Sequence, residues 1–393
     1  MPSSHPPVIV SGMHRSGTSL AASWLAALGV DLGDDLVPAD ERNPKGYFEE
    51  RSFVELHGNL LTRATRRAEL GHRDWGWTAS EWLDRGVYAR YDRLARALVE
   101  RRRRPDRPFG FKDPRASLVL DFWDEHFEDA RFVLIYRFPW EVADSMQRTG
   151  VETFLAHPEI AYPIWRFYNR QLLDFHDRHG ERCALISSNA LPRRPDRFAE
   201  VLRAKLGLSL DGSVEGLFDA EHFRSYPADD PLVGLAAEAY PECVDLLERL
   251  DAAADLPANG LWDPERRPVE AGHGPPRVAA VVRRVEHGAS LLVETWASIE
   301  RAAGGRCRIE VIDRAAPLPE VAEPYVLPLT AGDRLEEGFV DAAVAALDGD
   351  AEAAAAVGAV RRYGRVRDPS PRALESLDGA VFRTASLDRR GRP

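Results

Sequence analysis

Cysteine is scarce in this chain. Cys183, Cys243 and Cys307 lie far apart and cannot all pair, so neither a disulfide framework nor a zinc cluster is expected, and a reducing cytoplasm fits. Long apolar runs are missing as well. None approaches the roughly eighteen residues that read as a membrane span, and the N-terminus has no basic region followed by an apolar stretch. An exported or membrane-spanning protein is therefore not expected. Positive charge is in deficit, 52 basic side chains against 63 acidic ones for a net −11, which argues against a general nucleic-acid binder. A local basic pocket is compatible with that balance. Lysine is greatly outnumbered by arginine, a bias read as coding rather than function.

What is present is ordinary for a globular protein: 44% apolar and 29% charged residues. A chain of 393 residues is long enough to bury two cores. The stretch that organises the rest is Pro7–Leu28, PVIVSGMHRSGTSLAASWLAAL. Val8–Val10 read as a short buried strand, Gly12–Gly17 as a tight polar loop, and Ser19–Leu28 as a helix with apolar residues at helical spacing. A loop that turns a strand straight into a helix aims backbone N–H groups and the positive end of the helix dipole at an anion. Gly12 and Gly17 permit close backbone approach, Arg15 supplies charge, and Thr18 and Ser19 add hydroxyls. The loop of nucleoside triphosphatases, G-x-x-x-x-G-K-[ST], shares both glycines, but here Thr18 holds the lysine position and the cation has moved back to Arg15. Triphosphate hydrolysis needs that lysine.

Arg15-Ser16-Gly17-Thr18-Ser19 resembles the 5′-phosphosulfate loop, roughly [KR]-x-G-[ST]-[ST], of sulfotransferases that use 3′-phosphoadenylyl sulfate (PAPS). A second motif agrees with it. Ala130–Tyr136 reads as a buried strand that ends at Arg137-Phe138-Pro139, ahead of a helix carrying Glu141 and Ser145; Pro139 suits a helix start. That family holds the 3′-phosphate with an Arg at such a strand end and a Ser eight positions later, the spacing of Arg137 and Ser145. The resemblance implies an α/β, P-loop-like three-layer sandwich with a central parallel sheet. It implies that Arg15, Ser16, Gly17, Thr18 and Ser19 bind the 5′-phosphosulfate and that Arg137 and Ser145 bind the 3′-phosphate. PAPS is then co-substrate, 3′,5′-adenosine bisphosphate (PAP) is product, and no metal is needed. Animal Golgi members carry an N-terminal anchor, so its absence suggests a bacterial or cytosolic relative.

Asn43–Glu49, NPKGYFE, resembles a segment that follows the phosphosulfate loop in a bacterial branch of the same family. Sulfuryl transfer needs a group that takes the proton of the acceptor hydroxyl. Glu49 is the expected base, with Glu50 and His57 as alternatives. From Glu50 to about Arg103 the pattern is helical, with Phe53, Leu56, Leu60 and Leu61 on one stripe and Tyr91, Leu94, Ala95 and Leu98 on another. Between them, Trp75, Trp77 and Trp82 read either as an acceptor platform or as helix-packing core. Lys112-Asp113-Pro114-Arg115 resembles a loop of carbohydrate-type sulfotransferases. There Lys112 and Arg115 are expected as cations near the transferring group, with Asp113 orienting one of them. Arg193, Arg194 and Arg224 are candidates for the basic loop that closes the nucleotide site in relatives.

Asn259 to Pro276 is rich in Pro and Gly and reads as a linker. Beyond it, strands at Val278–Val282, Arg308–Ile312 and Tyr325–Leu329 alternate with helices at Leu291–Ile299 and Gly338–Leu347, a second, smaller α/β unit. Its pattern resembles a truncated nucleotide-binding half of family 2 glycosyltransferases. Of the acidic metal motif only Asp313 and Asp333 survive, so a degenerate scaffolding or glycan-docking module is expected rather than a second transferase.

These readings combine into a PAPS-dependent sulfotransferase domain over residues 1–258, a linker over 259–276 and a small α/β domain over 277–393. The acceptor hydroxyl is expected on a glycan, glycolipid or small metabolite, with Trp75, Trp77, His57, Arg115 and Glu49 as its contacts. The competing readings are a nucleotide-dependent kinase with an altered phosphate loop and a non-catalytic glycan- or nucleotide-binding protein.

Overall fold

Ile9, Val10 and the run Phe132–Tyr136 are apolar on both faces of their strands, the pattern of a parallel sheet covered by helices on each side. The computed structural model shows that arrangement. It describes residues 5–41, 43–67, 72–103, 106–219, 223, 225–226, 230–261, 276–285, 289–303, 306–357 and 380–384. Most of the stretch expected as a linker, and Arg224, lie outside the described residues.

Along the chain the first elements are β1 (Pro7–Ser11), α1 (Thr18–Ala27), α2 (Arg51–Ala64), α3 (Asp92–Arg102), β2 (Phe109–Lys112), α4 (Leu120–His126) and β3 (Arg131–Tyr136). Then come α5 (Pro139–Gln147), α6 (Glu152–Ala156), α7 (Ala161–His179), β4 (Cys183–Ser187), α8 (Pro195–Leu206), α9 (Pro231–Ala239) and α10 (Pro241–Ala253). The last are β5 (Val278–Arg283), α11 (Ala289–Ala303), β6 (Cys307–Ile312), β7 (Tyr325–Thr330), α12 (Phe339–Gly349), β8 (Ala355–Val357) and β9 (Ala380–Arg383).

The chain divides into two units. One comprises Met1–Leu155, Ile160–Pro227 and Glu242–Asp263; the other comprises Ala156–Glu159, Ala228–Pro241 and Pro264–Pro393.

In the first unit four parallel strands lie in the order β2-β1-β3-β4. On one face Val8, Val10, Val133 and Ile135 pack against Trp24 and Leu25 of α1 and against Phe198 and Leu202 of α8. On the other, Phe111 stacks on Phe53 of α2 at 4.1 Å and tilts against Trp123 of α4, while Phe132 meets Phe175 of α7. The chain leaves β1 for β2 on one side and then reaches β3 on the other. The point between β1 and β3 is therefore where the loops at the strands' carboxyl ends diverge and leave a crevice.

The helical pattern from Glu50 to about Arg103 is interrupted. After α2 the chain turns at Thr65, which is extended, and two 3₁₀ segments, Arg73–Trp75 and Arg85–Tyr91, precede α3. Gly76 sits at φ +65°, where an added Cβ would come within 2.9 Å of the Leu61 and Leu118 side chains, so the helix period is broken by packing. In the second unit the order is β6-β5-β7-β9-β8, with β5, β6 and β7 parallel and β8 and β9 antiparallel. Val278, Val282, Leu327 and Leu329 meet Leu292, Ile299 and Leu347 in its core.

Candidate active site

The register of the first sheet brings four strand ends to one edge. Val10 is opposite Lys112 and Val133, and Tyr136 is opposite Ser187, so the residues that follow each strand meet above the crevice. Two glycines let the first loop enter it. A Cβ on Gly12 would lie 2.1 Å from the Ile135 carbonyl oxygen, and one on Gly17 would lie 2.7 Å from Ser188 Cβ. Gly17, at φ +85°, is also the residue that starts α1, and Arg15 holds a left-handed φ of 65° without being glycine.

Two hydrogen-bonded groups face the resulting cavity of about 350 Å³. In the first, Arg15 Nε donates to Ser145 Oγ at 2.9 Å, and Arg137 Nη1 donates to the Arg15 carbonyl at 3.3 Å. Arg137 also donates from Nε to Glu141 at 2.7 Å, and its guanidinium lies 4.2 Å from the Phe223 ring centre. Burial lowers the pKa of Arg15, and neighbouring Arg148 and Arg137 lower it further. In the second group, Lys112 Nζ donates to Glu49 Oε1 at 2.5 Å and to Ser19 Oγ at 3.3 Å. Asn43 Nδ2 reaches the same Ser19 hydroxyl at 3.2 Å, which folds the 43–49 loop onto the start of α1. Burial raises the pKa of Glu49, while Lys112 pulls it down.

The charge of the lining decides what class of ligand fits. Arg15, Lys45, Lys112, Arg137 and Arg148 face the cavity, against the carboxylates Glu49 and Asp219. In a chain of net charge −11 this is a concentrated positive site, and low-dielectric walls strengthen its field. Leu20, Phe48, Leu217, Phe218 and Phe223 supply an apolar wall beside it. Cations, hydroxyls and the N-terminus of the ten-residue α1 beside an apolar wall suit an anionic ligand that also carries an apolar or aromatic part.

Residues 6–212 match the model of the Sulfotransferase family. No curated protein matches the chain. Among solved structures, the sulfotransferase from Alicyclobacillus acidocaldarius is 19% identical with a TM-score of 0.38, over 64% of this chain and 97% of that one. The sulfotransferase domain of the Synechococcus PCC 7002 olefin synthase is 22% identical with a TM-score of 0.31, over 58% and 80%. The sulfotransferase domain from the curacin biosynthetic pathway is 15% identical with a TM-score of 0.33, over 56% and 79%. The chain belongs to the sulfotransferase family and is PAPS-dependent by family. The family match stops at residue 212, and no comparison supports the likeness of residues 277–393 to glycosyltransferases. There Asp333 instead accepts from the backbone N–H of Thr330 at 2.8 Å, closing a turn after β7. No helix among the described residues is long and apolar enough to cross a membrane.

The residues read from the sequence divide in space. Arg15, Gly17, Thr18, Ser19, Glu49, Lys112, Arg137 and Ser145 all line the cavity. Ser16 does not: its N–H donates to the Met13 carbonyl at 3.1 Å and its hydroxyl is buried. His57 is also excluded. It is fully buried, with Nδ1 3.0 Å from Asp113 and Nε2 accepting from Trp123 Nε1 at 3.0 Å, so both nitrogens are taken. Arg115 is turned away, donating to Asp113 and to the Val54 carbonyl. Burial opposes ionisation of Asp113, yet Arg115 and His57 hold it below the usual carboxylate range. Asp113 thus orients Arg115, as expected, but inside the protein. Glu50 accepts from the Asp34 N–H at 2.9 Å and is 3% exposed. Trp77 is buried, and Trp75 lies behind the cavity wall rather than in it. Arg193 and Arg194 do not line the cavity either.

Sequence reasoning missed His14, Arg148 and the wall at Leu217–Asp219 and Phe223. His14 lines the cavity and stacks on Trp75 at 4.0 Å; burial, aided by Arg115 and Lys112, pushes its pKa down to about 3. Arg148 stands one helical turn beyond Ser145, a spacing that puts both on one face of α5 and its continuation. That spacing was a usable signal. His14 carried none, being one histidine among eleven.

Proposed function

We propose that this protein transfers a sulfuryl group from PAPS to an acceptor hydroxyl on a glycan, glycolipid or small metabolite. The observation that carries the reading is the Arg15–Ser145 hydrogen bond of 2.9 Å, with Arg137 on the Arg15 carbonyl. It joins in one cavity two motifs separated by more than a hundred residues, which the family resemblance assigns to two phosphates of the same nucleotide. When bound, PAPS supplies the activated sulfuryl group. Arg137 and Ser145 would hold its 3′-phosphate, and the α1 N-terminus with Gly17, Thr18 and Ser19 would hold the 5′-phosphosulfate, Arg15 tying the two sites together.

Lys112 has two tasks in this reading. It pairs with Glu49, and it reaches the Ser19 hydroxyl at the phosphosulfate loop, where charge grows on the bridging oxygen during transfer. Glu49 takes the proton of the acceptor hydroxyl. Its raised pKa makes it a stronger base than an exposed glutamate, and the Lys112 charge beside it favours the ionised form. Positioning and charge stabilisation supply the remainder of the rate.

The test is isothermal titration with PAP, with 5′-AMP and ATP as controls and Arg137→Ala alongside. The expected result is preference for PAP, with Arg137→Ala weakening PAP by about 30-fold or more. Equal or tighter binding of ATP, or no binding of PAP, sinks the reading.

A further inference from the structure

Glu141 is a buried carboxylate, 1% exposed, that does not line the cavity. It lies on α5, four residues beyond Arg137, and four donors converge on it. Oε2 accepts from Arg137 Nε at 2.7 Å and from Asn189 Nδ2 at 2.8 Å. Oε1 accepts from Ser225 Oγ at 2.9 Å and from the Tyr226 backbone N–H at 3.1 Å. A carboxylate offers about four lone-pair sites, so this one is saturated. The donors come from three separate places in the first unit: the end of β3, the loop after β4 and the segment that carries Phe223.

The pattern divides by oxygen. Oε2 sets the direction of the Arg137 guanidinium, and Asn189 is itself fixed because its Oδ1 accepts from the Phe138 N–H at 3.2 Å. Oε1 seats Ser225 and Tyr226, next to the Phe223 ring that covers the same guanidinium at 4.2 Å. One buried charge thus serves both the cation and the cavity wall above it.

We propose that Glu141 is a positioning residue that couples the aim of Arg137 at the 3′-phosphate to the seating of Ser225 and Tyr226, two and three residues beyond the wall residue Phe223. Selectivity for a 3′-phosphate and the rate of nucleotide release are then linked through a side chain that does not line the cavity. The inference rests on the sulfotransferase reading above.

Substitution separates the two oxygens' tasks. Glu141→Ala removes both. Glu141→Gln keeps one acceptor oxygen, which the charged Arg137 claims, and turns an NH2 group towards the Tyr226 N–H, a donor facing a donor. Ser225→Ala removes only the bond from its hydroxyl to Oε1. PAP and 5′-AMP affinities by titration, PAP release by stopped flow and melting temperature are measured for wild type and all three variants.

Glu141→Ala is expected to lose about 10–100-fold in PAP affinity, the range for hydrogen bonds to charged groups, with little change for 5′-AMP. Glu141→Gln is expected to retain most of the preference for PAP yet release it about tenfold faster. Ser225→Ala follows Glu141→Gln with a smaller effect. A lower melting temperature with an unchanged PAP to 5′-AMP ratio in Glu141→Ala, or with unchanged release in Glu141→Gln, overturns the proposal and leaves Glu141 a structural residue. If Glu141→Ala fails to fold, wild-type release from both Glu141→Gln and Ser225→Ala overturns it equally. A wild-type protein with no preference for PAP marks failure of the sulfotransferase reading instead.

Discussion

Both units end their parallel strands in polar loops, yet the two edges are unlike. At the first, polar groups from different strands bond to one another and still face a cavity: Arg15 with Ser145, Lys112 with Glu49 and Ser19. At the second, several described side chains bond to backbone groups of neighbouring loops instead. Arg283 donates to the carbonyls of Arg314 and Ala316, Asp333 caps the Thr330 N–H, and Thr295 Oγ1 and Ser298 Oγ accept from the backbone of Gly332 and Leu335. A parallel sheet supplies an edge where loops gather. Whether that edge holds a ligand depends on whether its polar groups are left facing a cavity or are taken up by backbone partners.

The strongest way to break this contrast is at Glu49. Glu49→Gln should lower turnover by about 10²–10⁴-fold, measured as PAP formed from PAPS with a panel of phenols and p-nitrophenyl glycosides, and leave PAP affinity nearly unchanged. The rate should rise with pH as Glu49 loses its proton. Burial raises that pKa, so the acid limb should lie above the range of an exposed glutamate. His14, with a pKa of about 3, should add no inflection between pH 5 and 8.

Next in size is His57, which belongs to the fold rather than the cavity. Replacing it with Ala leaves Asp113 and the Trp123 N–H short of partners, and urea unfolding should register a loss of about 3 kcal/mol, with PAP affinity of the folded protein retained. A large affinity loss without destabilisation would return His57 to the site. Arg15→Ala should weaken PAP by about 10–100-fold in titration, because it removes a cation and its bond to Ser145. The smallest effect is expected at the second edge. Asp333→Ala should cost about 1 kcal/mol of stability and change PAP binding not at all, and a change in PAP binding would contradict the contrast between the edges.

Much of this was legible in the sequence because it is local. Strands β1, β3 and β4 are short apolar runs, and the loops that follow them carry their motifs within a few residues, so the family resemblance at Arg15, Arg137 and Ser145 could be read over short segments. The antiparallel β8 and β9 were not read; β8 is three residues long and the pair is made by register rather than by pattern. Nor does a sequence separate His14 from His57. The residue type is the same, and only burial and partners make one a cavity wall and the other a core hydrogen-bond bridge.

By itself, then, the sequence determined the strand–loop–helix unit, the order of the parallel strands and the expectation that such a loop receives an anion. Backbone geometry and short-range spacing are sufficient for those. Tertiary structure alone decided that Glu49 reaches Lys112 while Glu50 turns to Asp34, that Arg115 faces inward, and that Glu141 gathers donors from three segments. Each of those outcomes depends on which buried polar group finds a partner across the fold, and a partner distant in sequence leaves no mark on the residues beside it.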